Sequence, residues 1–388
     1  MAKLNIAVAF GGASQEHDVS VVTAQQMMDA VDSRHYQVTP VYCDFQNRLF
    51  TGPALRDLSR FRPRPPGLTE VVFAWDGGGP CLRTRAGNTR TPIDCVVPAF
   101  HGPFGEDGRF QGMTECIGIP TTGFSATHSA LAMRKDATKA LVASVGVNVL
   151  PHVAVNHADM GGVDSVVARV EETLAYPAIV KPANLGSSIG VGVATDRDTL
   201  IASIQHVLRL DSFALVEPRV NHLQEYNVAL IHRDDEIVLS AIERPKSSAD
   251  LLDFKEKYLA ANDGEQQASK LGSMPIPSQG MLSLTRDINP DITDSLRERI
   301  DRYARAAFSV LGLRGAPRID FMYDSVADEL WFNEINPIPG SFGFFLWEAA
   351  SPRLLFPELI DHLVAEALHD SVKTFDDPVP EGAYLLSR

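Results

Sequence analysis

The chain lacks several features that would each point to a class of protein. No apolar run approaches the roughly 18 residues that mark a transmembrane helix, and the opening "MAKLNIAVAFGG" is too short in apolar residues for a signal peptide. No run of Lys or Arg is long enough to track a phosphate backbone, and the formal net charge is -14. That argues against nucleic acid as the main partner. Cysteine is scarce: Cys43, Cys81, Cys95 and Cys116 all fall in the first third, and no pair has the C-x-x-C spacing of a zinc or redox site. Structural thiols in a reducing compartment follow, and we expect a cytoplasmic protein with no membrane partner.

What is present is a globular composition. With 388 residues, 45% of them apolar, the chain can form two or three domains around substantial cores. Short apolar runs alternate with helical patterns, which predicts an α/β or α+β architecture with mixed sheets. "NIAVAF" (5–10), "YQVTPVYC" (36–43) and "IDCVVPAF" (93–100) read as strands, and Val19, Val22, Met27 and Val31 keep helical spacing between the first two. This is a doubly wound start. The Pro- and Gly-rich stretch 52–92 reads as surface excursions. A single helix is expected over 128–147, opening a second unit with the strand "PAIVKPA" and a glycine-rich link. A third unit begins at "FALVEPRV" and runs through "EYNVALI", "EIVLSAIE", a helix near 292–312, "RIDFMYD" and "ELWFNEIN". The units are therefore 1–124, 125–212 and 213–388.

Five stretches carry candidate chemistry. "RIDFMYDSVADELWFNEIN" reads as a β-hairpin; with its turn centred near Ala327, Asp320 lies opposite Glu334, and alternation puts Asn336 and Arg318 on the same face. Opposed carboxylates repel unless something neutralises them. Oxygen ligands of this kind suit Mg²⁺, usually completed by substrate phosphates. The plainer alternative is a solvent-facing hairpin that tolerates like charges.

"VKPANLGSSIGVG" (180–192) follows Lys181 with Gly186, Gly190 and Gly192, which let the backbone wrap a phosphate, and with the hydroxyls of Ser187 and Ser188. It is not a Walker loop, since no Gly-Lys-Ser/Thr closes it. "GSSIG" also fits G-x-S-x-G, a nucleophile elbow in which Ser188 would serve a serine hydrolase. That reading needs a strand, a sharp turn and then a helix, whereas "IGVGVA" reads as another strand, so a hairpin fits better.

"AFGGASQEH" (9–17) and "FHGPFGEDG" (100–108) are glycine turns after strands, carrying Glu16 and His17, and His101, Glu106 and Asp107. The first lacks the full dinucleotide fingerprint. Two such loops suggest a substrate pocket between them. "LDFKEKY" (252–258) opens a long polar segment of the kind that forms active-site lids, with Lys257 and Tyr258 as its best contacts.

Taken in order, "GGASQEHDVS", "HGPFGEDGRFQG", "ALAMRKDATK", "VKPANLGSSIGV", "KEKY", "RIDF" and "NEINPIPG" resemble the D-alanine–D-alanine ligase family of the ATP-grasp superfamily over nearly the whole chain. The resemblance implies an ATP-grasp fold behind an N-terminal Rossmann-like substrate domain. It implies an ATP-dependent ligase that phosphorylates one carboxylate and lets the amine of a second amino acid attack the acyl phosphate, acting as a homodimer. By the same pattern Lys135, Lys181, Gly186, Ser188 and Lys257 meet the phosphates, Glu217 and Val220 meet adenine, and Glu225 meets ribose. Asp320, Glu334 and Asn336 would hold two magnesium ions, with manganese as a substitute. Glu16 would bind the first ammonium, Ser187 and Tyr258 would link Glu16 to the lid, and Arg318 with the backbone of Gly340 would face the oxyanion.

The sequence departs from the family after Gly340. The family places a serine there to grip the second substrate's carboxylate; counting forward lands on Phe345, unless Ser341 takes over. We therefore expect His101, Ser341 and Phe345 to line the substrate pocket and an altered acceptor, with a specialised dipeptide or amide ligase as the variant reading.

Overall fold

The computed structural model describes residues 3–61, 65–87, 89–246 and 286–371. β1 (Leu4–Gly11) lies in parallel between β2 (Tyr36–Cys43) and β7 (Cys95–Pro98), with α1 (His17–Ala30) as the crossover from β1 to β2. Ile6, Ala7, Val8, Ala9 and Phe10 are all fully buried, as a continuous apolar run in a parallel strand covered on both faces should be.

Stretch 52–92 differs from the expected surface excursions. β3 (Leu49–Thr51), β4 (Thr69–Asp76), β5 (Gly79–Thr84) and β6 (Arg90–Pro92) extend the first sheet antiparallel, in the order β6-β5-β4-β3-β2-β1-β7. The glycines at 77 and 78 form the two-residue turn of the β4–β5 hairpin, where the Gly78 amide donates to Asp76 Oδ1 at 3.0 Å. Val71, Phe73 and Leu82 give this extension a buried face against Phe100 and Phe110.

The single helix expected over 128–147 is two. α2 (Arg109–Ile117) precedes α3 (Ala126–Met133) and α4 (Lys135–Ala143), and Arg134 between the last two is extended at ψ 98°. The apolar period runs through the break unchanged. Tertiary contacts impose it: the Lys135 amide donates to Ala183 O at 3.0 Å, and the Arg134 guanidinium lies 3.7 Å from the Phe213 ring centroid.

The second sheet is antiparallel, in the order β10-β9-β11-β8, from β8 (Val153–Asn156), β9 (Ala178–Pro182), β10 (Gly192–Ala194) and β11 (Phe213–Pro218). α5 (Val163–Thr173) and α6 (Arg197–Leu208) pack their valines and leucines onto it. β11 belongs to this sheet, so the boundary expected at 212/213 falls one strand early.

The third sheet has the order β15-β14-β12-β16-β17, with β13 also on β12. Its strands are β12 (Leu223–Arg233), β13 (Glu236–Leu239), β14 (Glu243–Pro245), β15 (Arg286–Ile288), β16 (Arg318–Asp324) and β17 (Glu329–Asn336). "EIVLSAIE" is thus two strands. α7 (Asp294–Val310) buries Ile300, Ala304 and Phe308 against Phe321 and Phe332 of this sheet. α8 (Phe344–Glu348) and α9 (Phe356–Ser371) close the fold by packing Leu346, Trp347 and Leu359 onto Ile6, Val8 and Met27.

Candidate functional site

The hairpin of β16 and β17 places the acidic pair. Pairing runs from Asp324 opposite Glu329 to Phe321 opposite Phe332, then skips Asn333, so that Asp320 faces Glu334 and Arg318 faces Asn336. The expected pair is observed, but through a β-bulge: without the extra residue, Asp320 would face Asn333. The like charges are compensated locally. Arg318 donates to both Asp320 oxygens at 2.6 and 2.7 Å, Asn336 Nδ2 donates at 3.0 Å, and Lys135 Nζ lies 3.2 Å from Glu334. The hairpin is therefore not an open, solvent-facing one.

Behind the pair lies a network of buried charge. Glu217, on β11, forms ion pairs with Lys181 Nζ at 2.6 Å and with Lys139 Nζ at 2.9 Å. Burial pushes the Glu217 carboxyl up, but the two ammoniums outweigh it and hold the group at about 2. Burial also draws Lys139 down, to about 8, against the pull of Glu217. Lys181 reaches on to Asn333 Oδ1 at 2.9 Å, and Lys135 to Leu185 O at 2.7 Å.

These groups border a cavity of about 800 Å³ whose wall includes Lys135, Lys181, Gly186, Ser188, Glu217, Val220, Glu225, Asp320 and Glu334. That is room for a nucleotide. A smaller cavity of about 50 Å³ adjoins it, lined by Glu16, His101, Glu106, Lys135, Ser187, Arg318, Glu334, Asn336 and Gly340. Lys135, Gly186 and Glu334 line both, so the two cavities meet at the lysine and carboxylate end.

The glycine loop joins the domains. Ser187 and Ser188 adopt left-handed backbone conformations at φ 53° and 57°, and the Ser187 hydroxyl donates to Glu16 Oε1. A Cβ on Gly186 would lie 3.3 Å from Glu16 Oε2, close enough that the carboxylate would have to give way by a few tenths of an ångström. After the loop comes β10, antiparallel to β9, and no helix begins before Arg197. The strand–turn–helix context of a serine nucleophile is not formed at Ser188.

The two strand-end loops converge as expected. His101 Nε2 hydrogen-bonds Thr23 Oγ1 at 2.8 Å, and burial, with Arg318 adding to it, pulls the imidazole down to about 3. Glu106 accepts from the amides of Gly102 at 2.6 Å and Ile338 at 3.1 Å. Burial, reinforced by Glu16, nevertheless pushes its carboxyl up to about 8.

Beyond Gly340 the expectation fails. Phe345 and Ser341 are not in the lining of either cavity. Phe342 is buried in the core shared with α1 and α9, Phe344 stacks on Phe356 at 4.9 Å, and Phe345 lies under the Arg286 guanidinium at 4.8 Å. Ser341 donates through its hydroxyl to Gln26 Oε1 and through its amide to Thr23 Oγ1 at 3.2 Å. The physical reason is the left-handed backbone at Ser341 and Phe342, φ 52° and 55°, which turns the chain into the core. Lys257 and Tyr258 lie outside the described residues.

Three participants were missed or underrated from sequence: Lys139, Asn333 and Glu106. Lys139 had a signal, since it follows Lys135 by four residues and so shares a helix face with it. The candidate metal ligands fit a hard cation: Asp320 and Glu334 line the larger cavity, Asn336 lines the smaller one beside Glu334, and together they give an all-oxygen set. Among the described residues no group of three or more His, Cys, Asp or Glu is placed to hold a metal, and none of the described helices is long and apolar enough to cross a membrane.

A glycine loop, two lysines and two carboxylates lining one cavity fit an ATP-dependent ligase, the class to which the matching family models and relatives assign the chain. Models of the D-ala D-ala ligase N-terminus and C-terminus match residues 5–124, and residues 141–274 with 280–365. The D-alanine–D-alanine ligase of Thermosipho melanesiensis is 32% identical over 93% of this chain and 92% of its own length. That of Chlorobium phaeovibrioides is 33% identical over 95% and 98%. Among solved structures, the D-alanine–D-alanine ligase of Coxiella burnetii superposes with a TM-score of 0.78 at 23% identity, covering 96% of this chain and 95% of that one. The VanG D-Ala:D-Ser ligase of Enterococcus faecalis gives 0.75 at 25% identity, covering 94% and 100%. The chain belongs to the D-alanine–D-alanine ligase family.

Proposed function

We propose that this ligase joins two small amino acids, D-alanine to D-alanine by default, in the cytoplasm and as a homodimer, supplying a dipeptide for cell-wall synthesis. The observation that carries the reading is the meeting of the two cavities at Lys135, Gly186 and Glu334: one has the size of a nucleotide, the other is a small polar pocket walled by Glu16 and Arg318. A carboxylate bound in the small cavity lies beside the end of the large one where phosphate would sit.

Residue roles follow the direction of charge flow. Glu16, buried and held by Ser187, offers a carboxylate to the first ammonium. Lys135 and Lys181 face the phosphates, while Val220 and Glu225 take the adenine and ribose end of the same cavity. Glu217 serves from the cavity wall, though its carboxylate is already shared by two lysines. Asp320, Glu334 and Asn336 would hold magnesium, or manganese in its place, which when bound neutralises the transferring phosphoryl group. Arg318 and the Gly340 backbone border the small cavity, where an oxyanion would form on attack by the second amine. His101, kept neutral by burial, orients through Thr23 without adding charge.

The aromatic segment lends no support to an enlarged acceptor wall, because it packs into the core. A matrix of amino-acid pairs scored by ADP release and product mass tests the reading. We expect ADP and a D-alanyl-D-alanine mass; a different preferred second amino acid would replace the default, and no ADP with any pair would sink the enzyme assignment.

A further inference from the structure

Lys139 has no exposed side-chain surface and appears in the lining of neither cavity, yet its ammonium touches both sheets of the grasp. It projects from α4, forms an ion pair with Glu217 on β11 at 2.9 Å and donates to the Phe332 carbonyl on β17 at 3.1 Å. Each contact leads one step further to the site. Glu217 holds Lys181 at 2.6 Å, and Phe332 is the residue before the bulged Asn333, beyond which Glu334 faces Asp320.

A buried ammonium is an unusual way to fill a core position. Replacing a whole buried ion network by apolar side chains of similar size is often neutral or stabilising, so buried charge is rarely kept for packing alone. Lys181 would still balance the charge of Glu217 if Lys139 were lost, but Glu217 Oε1 and the Phe332 carbonyl would each lose the ammonium beside them. Those two partners, rather than the space it fills, account for Lys139.

We propose that Lys139 is a positioning residue for nucleotide binding: it fixes Glu217, and through it Lys181, while gripping the edge of β17 where the bulge sets the register of Glu334. The inference rests on the ATP-dependent reading above. It predicts that Lys139→Met keeps the fold but loosens the phosphate end of the site.

The test is calorimetric titration with a non-hydrolysable ATP analogue in the presence of Mg²⁺, alongside melting temperature and the KM for D-alanine. For Lys139→Met we expect Kd for the analogue to weaken roughly 10- to 100-fold, as loss of an orienting partner typically does. The melting temperature should fall only modestly, as the Phe332 carbonyl loses its donor, and the D-alanine KM should stay within about twofold. In a cycle with Glu217→Gln, the double variant should be no worse than the weaker-binding single variant, because both act on one network. An unchanged Kd, or multiplying effects in the cycle, overturns the proposal. Lys139→Gln, which keeps a donor, is the second variant; failure of both to fold would assign Lys139 to the core and overturn it too. Failure of the parent chain to bind the analogue would instead overturn the functional reading itself.

Discussion

The thirteen residues "NEINPIPGSFGFF" (333–345) contain two regions that behave oppositely. The first six hold their polar groups against partners from three other elements and one loop: Lys181, Lys135, Asp320 and, at Ile338, Glu106. The last five turn inward, and Phe342 and Phe344 join the core with Phe356. The difference teaches that proximity in sequence to a functional strand does not make a residue part of the site. One left-handed turn at Ser341 and Phe342 separates chemistry from packing.

The comparison can be broken by substitution at either end. The largest effect is expected at Glu334: Glu334→Gln should lower turnover by at least roughly 100-fold with an unchanged circular dichroism spectrum. A parental rate in that variant would refute its place in the site. Phe342→Ala should remove about 3–5 kcal/mol of stability, read by denaturant unfolding, while the surviving folded enzyme keeps the parental choice of second amino acid. A shifted choice would return the aromatic segment to the pocket wall.

Glu106 gives a smaller, pH-dependent effect. Its folded-state pKa of about 8 stands above the usual 4.5, so the folded chain keeps a proton that the unfolded chain releases. Its contribution is therefore fully present below pH 4.5 and is lost as pH rises towards 8. The melting temperature of the parent minus that of Glu106→Gln should fall across that window; a flat difference would show that Glu106 is ionised when folded. The smallest effect is expected for Phe345→Ala, about 1 kcal/mol from its contact with Arg286, with the product profile unchanged.

Much of this was legible in the sequence. A turn placed near Ala327 is enough to pair Asp320 with Glu334, although the bulge at Asn333 is what sets that register, and the glycines after Lys181 are enough to expect a hairpin. What could not be read is what distant residues impose. The apolar period runs unbroken through Arg134, and only Ala183 and Phe213 reveal why the helix stops there. The Pro and Gly density of 52–92 signals turns, but Val71, Phe73 and Leu82 carry the sheet between them. Lys139 looks like any surface lysine on an amphipathic helix until Glu217 and Phe332 close over it. The phenylalanines after Gly340 were misread because composition does not reveal which way a left-handed turn sends the chain.

The bulge at Asn333 also bears on how this protein can be recombined. On the turn side of it the hairpin counts Phe321 with Phe332; on the far side it counts Asp320 with Glu334, one residue out of phase. A chimera that takes its hairpin tip from a relative with an unbulged strand would join the two phases wrongly and present Asn333 to Asp320. Crossovers should therefore fall outside residues 318–336, so that the tip and the carboxylates travel together as one inheritable unit.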